Sequence, residues 1–178
     1  MISTEPGPAG PPGPPGPVGP AGPKGDTGRA GESGKECPVD IGANSTCQRL
    51  PRYGCYCVSM LKQTWKEADR WCRDGDMQLV SVETREEQLK LADFLASMAN
   101  GTALAFWTSG SDVEKEGQWV WTATGDELAY TNWAPRQPDN SEGVQHHLVI
   151  DADTFQWYDD DIVSELGTQW KGHAVCEL

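Results

Sequence analysis

A strict three-residue glycine period occupies the first part of the chain. Glycine stands at every third position from Gly7 to Gly34, which gives ten unbroken triplets ending at Glu36. Pro12 and Pro15 fill the third position of their triplets. Only glycine fits the crowded axis of three intertwined polyproline-II chains, so this period predicts a triple helix. A disordered linker rich in proline and glycine is the alternative reading.

This glycine period divides the chain into two regions of different composition. Residues 1–36 form the predicted collagen-like tail, and residues 37–178 are left for one folded head of ordinary domain length. Because a collagen helix needs three chains, the tail predicts a homotrimer. Three linked heads would then bind a repetitive ligand with avidity.

The charge balance excludes several classes of partner. The chain has 14 basic and 27 acidic residues, and all but one unit of its net charge of −13 falls after residue 36. Such a head repels nucleic acid and anionic membranes. No apolar run approaches the ~20 residues of a membrane-spanning helix.

Six cysteines in a chain of this size predict three disulfides and a secreted, extracellular location. None of them forms a C-x-x-C pair that would suggest a zinc knuckle. Two glycosylation sequons, at Asn44 and Asn100, agree with export. Cys37 directly follows the last triplet, and is either an interchain link or the first cysteine of the head.

The head is predicted to be an α+β domain with long loops. Thr64 with Glu67, and Thr84 with Glu87, are two capping boxes that each precede an apolar stripe. The stripes are Trp65, Ala68 and Cys72, then Leu91, Phe94, Leu95 and Met98. Strands are predicted at Phe106 to Thr108, Gln118 to Trp121, His147 to Ile150 and Gly172 to Cys176.

The motifs of the head occur in a recognisable order. They are Cys55-Tyr56, Thr64 to Ala68 with Cys72, Leu79 to Ser81, Gly117 to Trp121, Tyr130 to Trp133, Gln137 to Asn140, and Ala174 to Glu177. From about Cys55 to Leu178 this order resembles the C-type lectin-like domain, a fold of two helices, antiparallel sheets and a long ligand loop. Together with the tail, the plan resembles a collectin without the coiled-coil neck.

The resemblance implies one disulfide and leaves the others open. Cys72 and Cys176 match the family pair that joins the first helix to the C-terminal strand. Cys55 matches an extra N-terminal cysteine, whose partner is Cys37 or Cys47. The family's second core disulfide, which ties the ligand loop, has no cysteines here.

The resemblance also implies a sugar site built around a calcium ion. Gln137-Pro138-Asp139 matches the galactose-type loop motif, with Pro138 in cis. Gln145 and Asp159 match further ligands, so these four residues are the expected calcium and carbohydrate ligands: Gln137, Asp139, Gln145 and Asp159. Clustered oxygen ligands of this kind suit calcium.

Departures from the family pattern weaken the predicted ion. Gln145 replaces a glutamate and Tyr158 replaces an asparagine, so the site carries fewer charges and calcium binding should be weak. Glu142 is the metal ligand expected to compensate, with Asp160 and Asp161 nearby. The acidic positions of an auxiliary calcium site match Asp112, Glu116 and Asn140, but His146 replaces an acid there.

Two functions remain open at this point. The first is calcium-dependent recognition of a galactose-type glycan or glycoprotein, and the second is calcium-independent recognition of a protein or matrix component. A metal hydrolase site of His146 and His147 beside Asp151 and Asp153 is disfavoured, because neighbouring side chains on a strand point to opposite faces. With no nucleophile motif or phosphate loop, the chain is predicted not to be an enzyme.

Overall fold

The computed structural model describes residues 37–38, 41–42, 44–99, 105–160 and 172–178. The glycine repeat, Asn100 and Asp161 lie outside these residues. In chain order the elements are β1 Ser45–Leu50, β2 Gly54–Gln63, α1 Trp65–Asp74, β3 Gln78–Leu79, α2 Arg85–Ala99, β4 Ala105–Ser111, β5 Val120–Trp121, a 3-10 turn Ser141–Gly143, β6 His147–Asp151, β7 Trp157–Asp160 and β8 Gly172–Glu177. The predicted α+β class is confirmed.

Within the described residues, eight strands form one sheet. Its order is β1-β2-β8-β4-β6-β7, with β3 paired to β8 and β5 paired to β4. The expectation of purely antiparallel sheets is wrong, because β4 and β8 are parallel. The C-terminal strand β8 lies between β2 and β4. It pairs antiparallel with β2 and parallel with β4.

Helix α1 begins as its sequence predicts. The Thr64 hydroxyl accepts a hydrogen bond from the Glu67 amide, and the Glu67 carboxylate accepts one from the Thr64 amide at 2.8 Å. These two bonds satisfy donors that a helix start leaves unpaired. Ala68 and Cys72 are fully buried, so the predicted stripe faces the sheet.

Helix α2 departs from the predicted capping box. The Thr84 hydroxyl accepts from the Glu87 amide at 3.2 Å, but the Glu87 carboxylate accepts from the Glu83 amide instead of the Thr84 amide. The cause is the core: the Tyr56 hydroxyl donates to the same carboxylate at 2.5 Å and draws it inward. The apolar stripe is as predicted, with Leu91, Phe94 and Leu95 buried and Met98 packed against them.

Three disulfides cross-link the head: one joins the segment before β1 to β2, one joins β1 to β2, and one joins α1 to β8. Cys72 is bonded to Cys176, the pair that the resemblance implied. The pairing that was open is Cys37 with Cys55 and Cys47 with Cys57, so Cys37 belongs to the head in this structure. No cysteine of the chain is free.

A cluster of aromatic rings supports the long loop between β5 and β6. Trp157 on β7 makes edge contacts with the rings of Trp121, Tyr130 and Trp133. The Trp157 amide donates to the Asn132 carbonyl at 2.9 Å, and the Trp157 carbonyl accepts from the Ala134 amide at 2.9 Å. The loop therefore runs beside β7 and delivers the residues after Ala134 to the end of that strand.

The strand predicted at Gln118 to Trp121 is shorter than expected. Only Val120–Trp121 pairs with β4. Trp119 makes an edge contact with Trp133 instead, and is nearly buried. Packing against the loop therefore takes the place of strand pairing at this residue.

Three titratable side chains of β2, α2 and β8 have raised pKa values: Tyr56, Glu87 and Glu177. Burial raises the pKa of the Glu177 carboxyl to about 8, although the Ser81 amide donates to it at 2.8 Å. Burial likewise raises the pKa values of Glu87 and of the Tyr56 hydroxyl, and the Glu87 carboxyl adds to the effect on Tyr56. Each shift favours the neutral form of the group, as expected in a medium of low polarity.

Candidate functional site

A cavity of about 320 Å³ opens beside the Gln137-Pro138 peptide bond, which is cis. The loop after β5 supplies one wall, and β6 and β7 supply the other. Ten residues line it: Ala105, Gln137, Asp139, Ser141, Gln145, Val149, Asp151, Tyr158, Asp159 and Asp160. The structure thus brings together Gln137, Asp139, Gln145 and Asp159, the four residues that the sequence singled out.

Hydrogen bonds tie the loop half of this cavity to its strand half. The Asp159 carboxylate accepts from the backbone amides of Asp139 at 3.1 Å and Asn140 at 2.6 Å. In return, the Asp159 amide donates to the Gln137 side-chain oxygen at 3.2 Å. Asp159 is only 3 % exposed, so its carboxylate is a fixed part of the wall.

A second group of bonds holds the remaining two oxygens near each other. The Ser141 amide donates to Gln145 Oε1 at 2.7 Å and to Asp139 Oδ1 at 3.2 Å. One shared donor therefore places both side chains on the same side of the turn. The Gln145 amide in turn donates to Asn140 Oδ1 at 3.1 Å.

Glu142 is the one predicted ligand that does not line the cavity. It lies on the exposed turn Ser141–Gly143 with a positive φ of 61°. Its role as a compensating ligand stays a prediction. Asp160, named with it as a compensating acid, does line the cavity.

The sheet adds residues to the cavity that sequence reasoning did not assign to a site. Val149 pairs with Tyr158, and Ala105 pairs with Asp151, so these four residues stand in register on neighbouring strands. Tyr158 could be found in the sequence, because it stands where the family motif has a ligand, but it was interpreted only as the loss of that ligand. Asp151 could not be assigned to the cavity from the sequence, because its position depends on how β4 pairs with β6.

A second cluster of donors lies on the other side of the loop. His146 Nδ1 is 3.0 Å from Asp112 Oδ1 and 3.5 Å from Glu116 Oε2. The Asn140 side-chain amide donates to Glu116 at 2.6 Å. These are the residues matched to an auxiliary calcium site, and the structure does bring them together. His147 instead faces the core against Trp65, so the two histidines point apart as predicted.

The donors of the cavity match a hard cation in kind. The four expected ligands bring two carboxylates and two amides to the cavity from the loop and from β7, and Asp151 and Asp160 add two further carboxylates to its lining. Each of these oxygens has more than one lone pair and can accept a backbone N–H and face an ion at once. Calcium takes such oxygen ligands in flexible geometry. The four expected ligands carry only two formal charges, and fewer charged ligands lower the affinity for calcium.

Comparison with known proteins decides the family. The model of the family described as the lectin C-type domain matches residues 61–177, most of the head. The chain belongs to the C-type lectin domain family. C-type lectins are carbohydrate-binding, non-enzymatic proteins, so this chain is a binding protein and not an enzyme, as its sequence predicted.

Individual relatives agree with this assignment. The C-type lectin domain is 30 % identical over 128 residues to perlucin of Haliotis laevigata, covering 71 % of this chain and 77 % of perlucin. It is 35 % identical over 128 residues to salivary C-type lectin 2 of Aedes albopictus, covering 68 % of this chain and 82 % of that protein. The human scavenger receptor C-type lectin carbohydrate-recognition domain superposes with a TM-score of 0.61 at 25 % identity, covering 80 % of this chain and 98 % of that domain.

Proposed function

We propose that this protein is an extracellular, collagen-tailed lectin that binds galactose-type glycans through a calcium ion held by Gln137, Asp139, Gln145 and Asp159. One observation carries the proposal: all four side chains line a single cavity beside the cis Gln137-Pro138 bond. The ion would be shared between these oxygens and two neighbouring hydroxyls of the sugar. The Gln-Pro-Asp order is the galactose-type form of the motif.

The charge of the site sets the expected affinity for calcium. Of the four proposed ligands, Asp139 and Asp159 carry one formal charge each and Gln137 and Gln145 carry none; Asp151 and Asp160 also line the cavity but are not proposed as ligands. Fewer charged oxygens place the dissociation constant in the weak extracellular range, ~10⁻³ to 10⁻⁴ M. Tyr158 lines the cavity and supplies an aromatic surface on which the apolar face of a sugar can pack.

Binding to immobilised galactose, with calcium and with a chelator, tests this function. Asp139→Ala and Asp159→Ala should each abolish both galactose binding and the rise in melting temperature with millimolar calcium. Asp153→Ala is the matched control, because Asp153 is an exposed carboxylate that does not line the cavity. Retained calcium-dependent binding in Asp139→Ala would contradict the proposal.

Two further variants test the details of the ligand set. Glu142→Gln should lower calcium affinity only if Glu142 turns toward the ion to replace the lost acid, since Glu142 does not itself line the cavity. A loss of affinity in this variant would show that Glu142 moves in to hold the ion. The double change Gln137→Glu and Asp139→Asn should shift preference from galactose toward mannose, since it exchanges the donors and acceptors that meet the hydroxyls.

Calcium-independent recognition of a protein or matrix component is the second candidate. The observation in its favour is that Asp159 already binds the Asp139 and Asn140 amides through both carboxylate oxygens. The loop is thus closed by hydrogen bonds within the protein. If calorimetry with millimolar calcium gives no heat and no melting shift, this second function replaces the first.

The tail would gather three such heads. Residues 7–36 keep glycine at every third position, and the proposed homotrimer follows from that period. The full chain should elute near three times 19.4 kDa in native sizing at low temperature. Deletion of residues 1–36 should give a monomer with weaker binding to a galactose surface. A monomeric full chain would remove the avidity argument without affecting the site in the head.

A further inference from the structure

The sequon at Asn44 lies on an exposed turn directly before β1. Its triplet is Asn44-Ser45-Thr46, a pattern whose asparagine accepts a glycan in secreted proteins. Asn44 is exposed and has a positive φ of 63°. Asparagine adopts this left-handed region more readily than most residues do. The folded head therefore presents the sequon asparagine at its surface, where a bulky glycan can be accommodated.

The turn that carries the sequon is held in place on both sides. The Ser45 hydroxyl accepts from the Ile41 amide at 3.1 Å and donates to the Gly42 carbonyl at 2.9 Å. Shortly after the sequon, Cys47 on β1 is bonded to Cys57 on β2. A glycan at this position would therefore leave the head from a defined place on the ribbon formed by β1 and β2.

An apolar pair is exposed near the end of β2. Met60 and Leu61 are 40 % and 48 % exposed. Adjacent residues of a regular strand point to opposite faces. Here the pairing of β2 with β8 shifts its register between Val58 and Lys62, and both side chains reach the surface. The irregular stretch of β2 thus exposes two large apolar side chains next to each other.

The strand register places the sequon beside this apolar pair. Ser45 pairs with Ser59 in the antiparallel ladder, so Asn44 stands opposite Met60. The Met60 amide donates to the Asn44 carbonyl at 2.7 Å. Directly opposite residues of antiparallel strands have Cα atoms about 4.5 to 5.5 Å apart. The first sugar of a glycan on Asn44 would therefore begin within reach of Met60 and Leu61.

We propose that Asn44 bears an N-linked glycan whose first sugar rings cover Met60 and Leu61. A sugar ring has a face of C–H groups, and packing of this face on the two side chains removes apolar surface from water. Two partly exposed side chains are far less than the ~800 Å² that each partner of a stable protein complex buries, so the pair suits a small, tethered occupant.

The proposed glycan and the galactose cavity lie at opposite ends of the sheet. Strand β1 is the first strand of the sheet order and β7, which lines the cavity, is the last. The glycan therefore does not obstruct the cavity. The proposal rests on the proposed extracellular location, and it does not rest on the binding of galactose or calcium.

Peptide mapping by mass spectrometry tests the modification on the full chain, secreted from cultured animal cells behind an added secretion signal. This signal makes the result independent of the natural location, and the mapping separates Asn44 from the sequon at Asn100. Thr46→Val removes the sequon but keeps Asn44, and Thr46→Ser is the matched control because it keeps the required hydroxyl. A glycan is expected at Asn44 in the wild type and in Thr46→Ser. An unmodified Asn44 in the secreted wild type would overturn the proposal.

Fluorescence of a dye that binds apolar surface tests the cover itself. Dye fluorescence of folded Thr46→Val should exceed that of glycosylated Thr46→Ser by at least about twofold, because the apolar pair is then bare. The difference should vanish when both variants also carry Met60→Ser and Leu61→Ser. It should persist with Val113→Ser as the control, because Val113 is equally exposed but follows β4. Equal fluorescence of Thr46→Val and Thr46→Ser, or a difference that survives Met60→Ser with Leu61→Ser, would overturn the proposal.

Discussion

The three disulfides should differ in the stability that they provide, because they close loops of very different length. Cys72 and Cys176 are 104 residues apart, Cys37 and Cys55 are 18 apart, and Cys47 and Cys57 are 10 apart. Restriction of the unfolded chain by loops of these lengths gives about 4.7, about 3.2 and about 2.7 kcal/mol. Replacing both cysteines of one pair by alanine should therefore lower the free energy of unfolding most for the first pair.

The burial of the sulfur atoms also predicts the largest loss of stability for the Cys72–Cys176 pair. Cys72 and Cys176 are both 0 % exposed, whereas Cys47 is only half-buried, so the first replacement also removes more buried sulfur. Urea unfolding at 25 °C measures the free energies, and mass spectrometry checks that the other two disulfides persist. The difference between the first and last pairs should be about 2 kcal/mol. Equal losses for these two pairs would refute the loop-length argument.

Three further changes test the fold. Burial raises the pKa of Glu177 to about 8, so the folded protein keeps a proton that the unfolded chain releases near pH 4.3. The melting temperature should therefore fall as pH rises from about 5 to about 9, and Glu177→Gln should flatten this fall. Thr64→Ala and Thr84→Ala should each lower the free energy of unfolding in urea by about 1 kcal/mol, because each hydroxyl accepts a hydrogen bond from the backbone amide three residues on. Gly110→Ala should lower it by about 1 to 3 kcal/mol, because the new methyl group would lie 2.7 Å from Leu148 Cβ.

Local chemistry explains why much of the head could be predicted from the sequence. The Thr64 cap depends on two residues three positions apart, and its pattern leaves little choice of structure. The same pattern at Thr84 was misread, because the partner that displaces the Glu87 carboxylate is Tyr56, 31 residues away. A capping motif predicts the hydrogen bonds of its own helix turn, and it does not predict the contacts that its side chains make with distant residues of the core.

The candidate site shows the same limit. Gln137, Asp139 and Asp159 could be named because their motifs are short, and the structure does place them in one cavity. Asp151 was considered only for the rejected hydrolase site, since its place beside the cavity depends on the pairing of β4 with β6. The parallel pairing of β8 with β4 was missed for a related reason: strand order depends on contacts between the two ends of the head.

Asn140 touches both donor groups of the loop. Its backbone amide donates to Asp159, its side-chain amide donates to Glu116, and its side-chain oxygen accepts from the Gln145 amide. Displacing this one residue from Glu116 would therefore also disturb two residues of the cavity, Asp159 and Gln145. A substitution at Glu116, which does not line the cavity, reaches the cavity through a single asparagine.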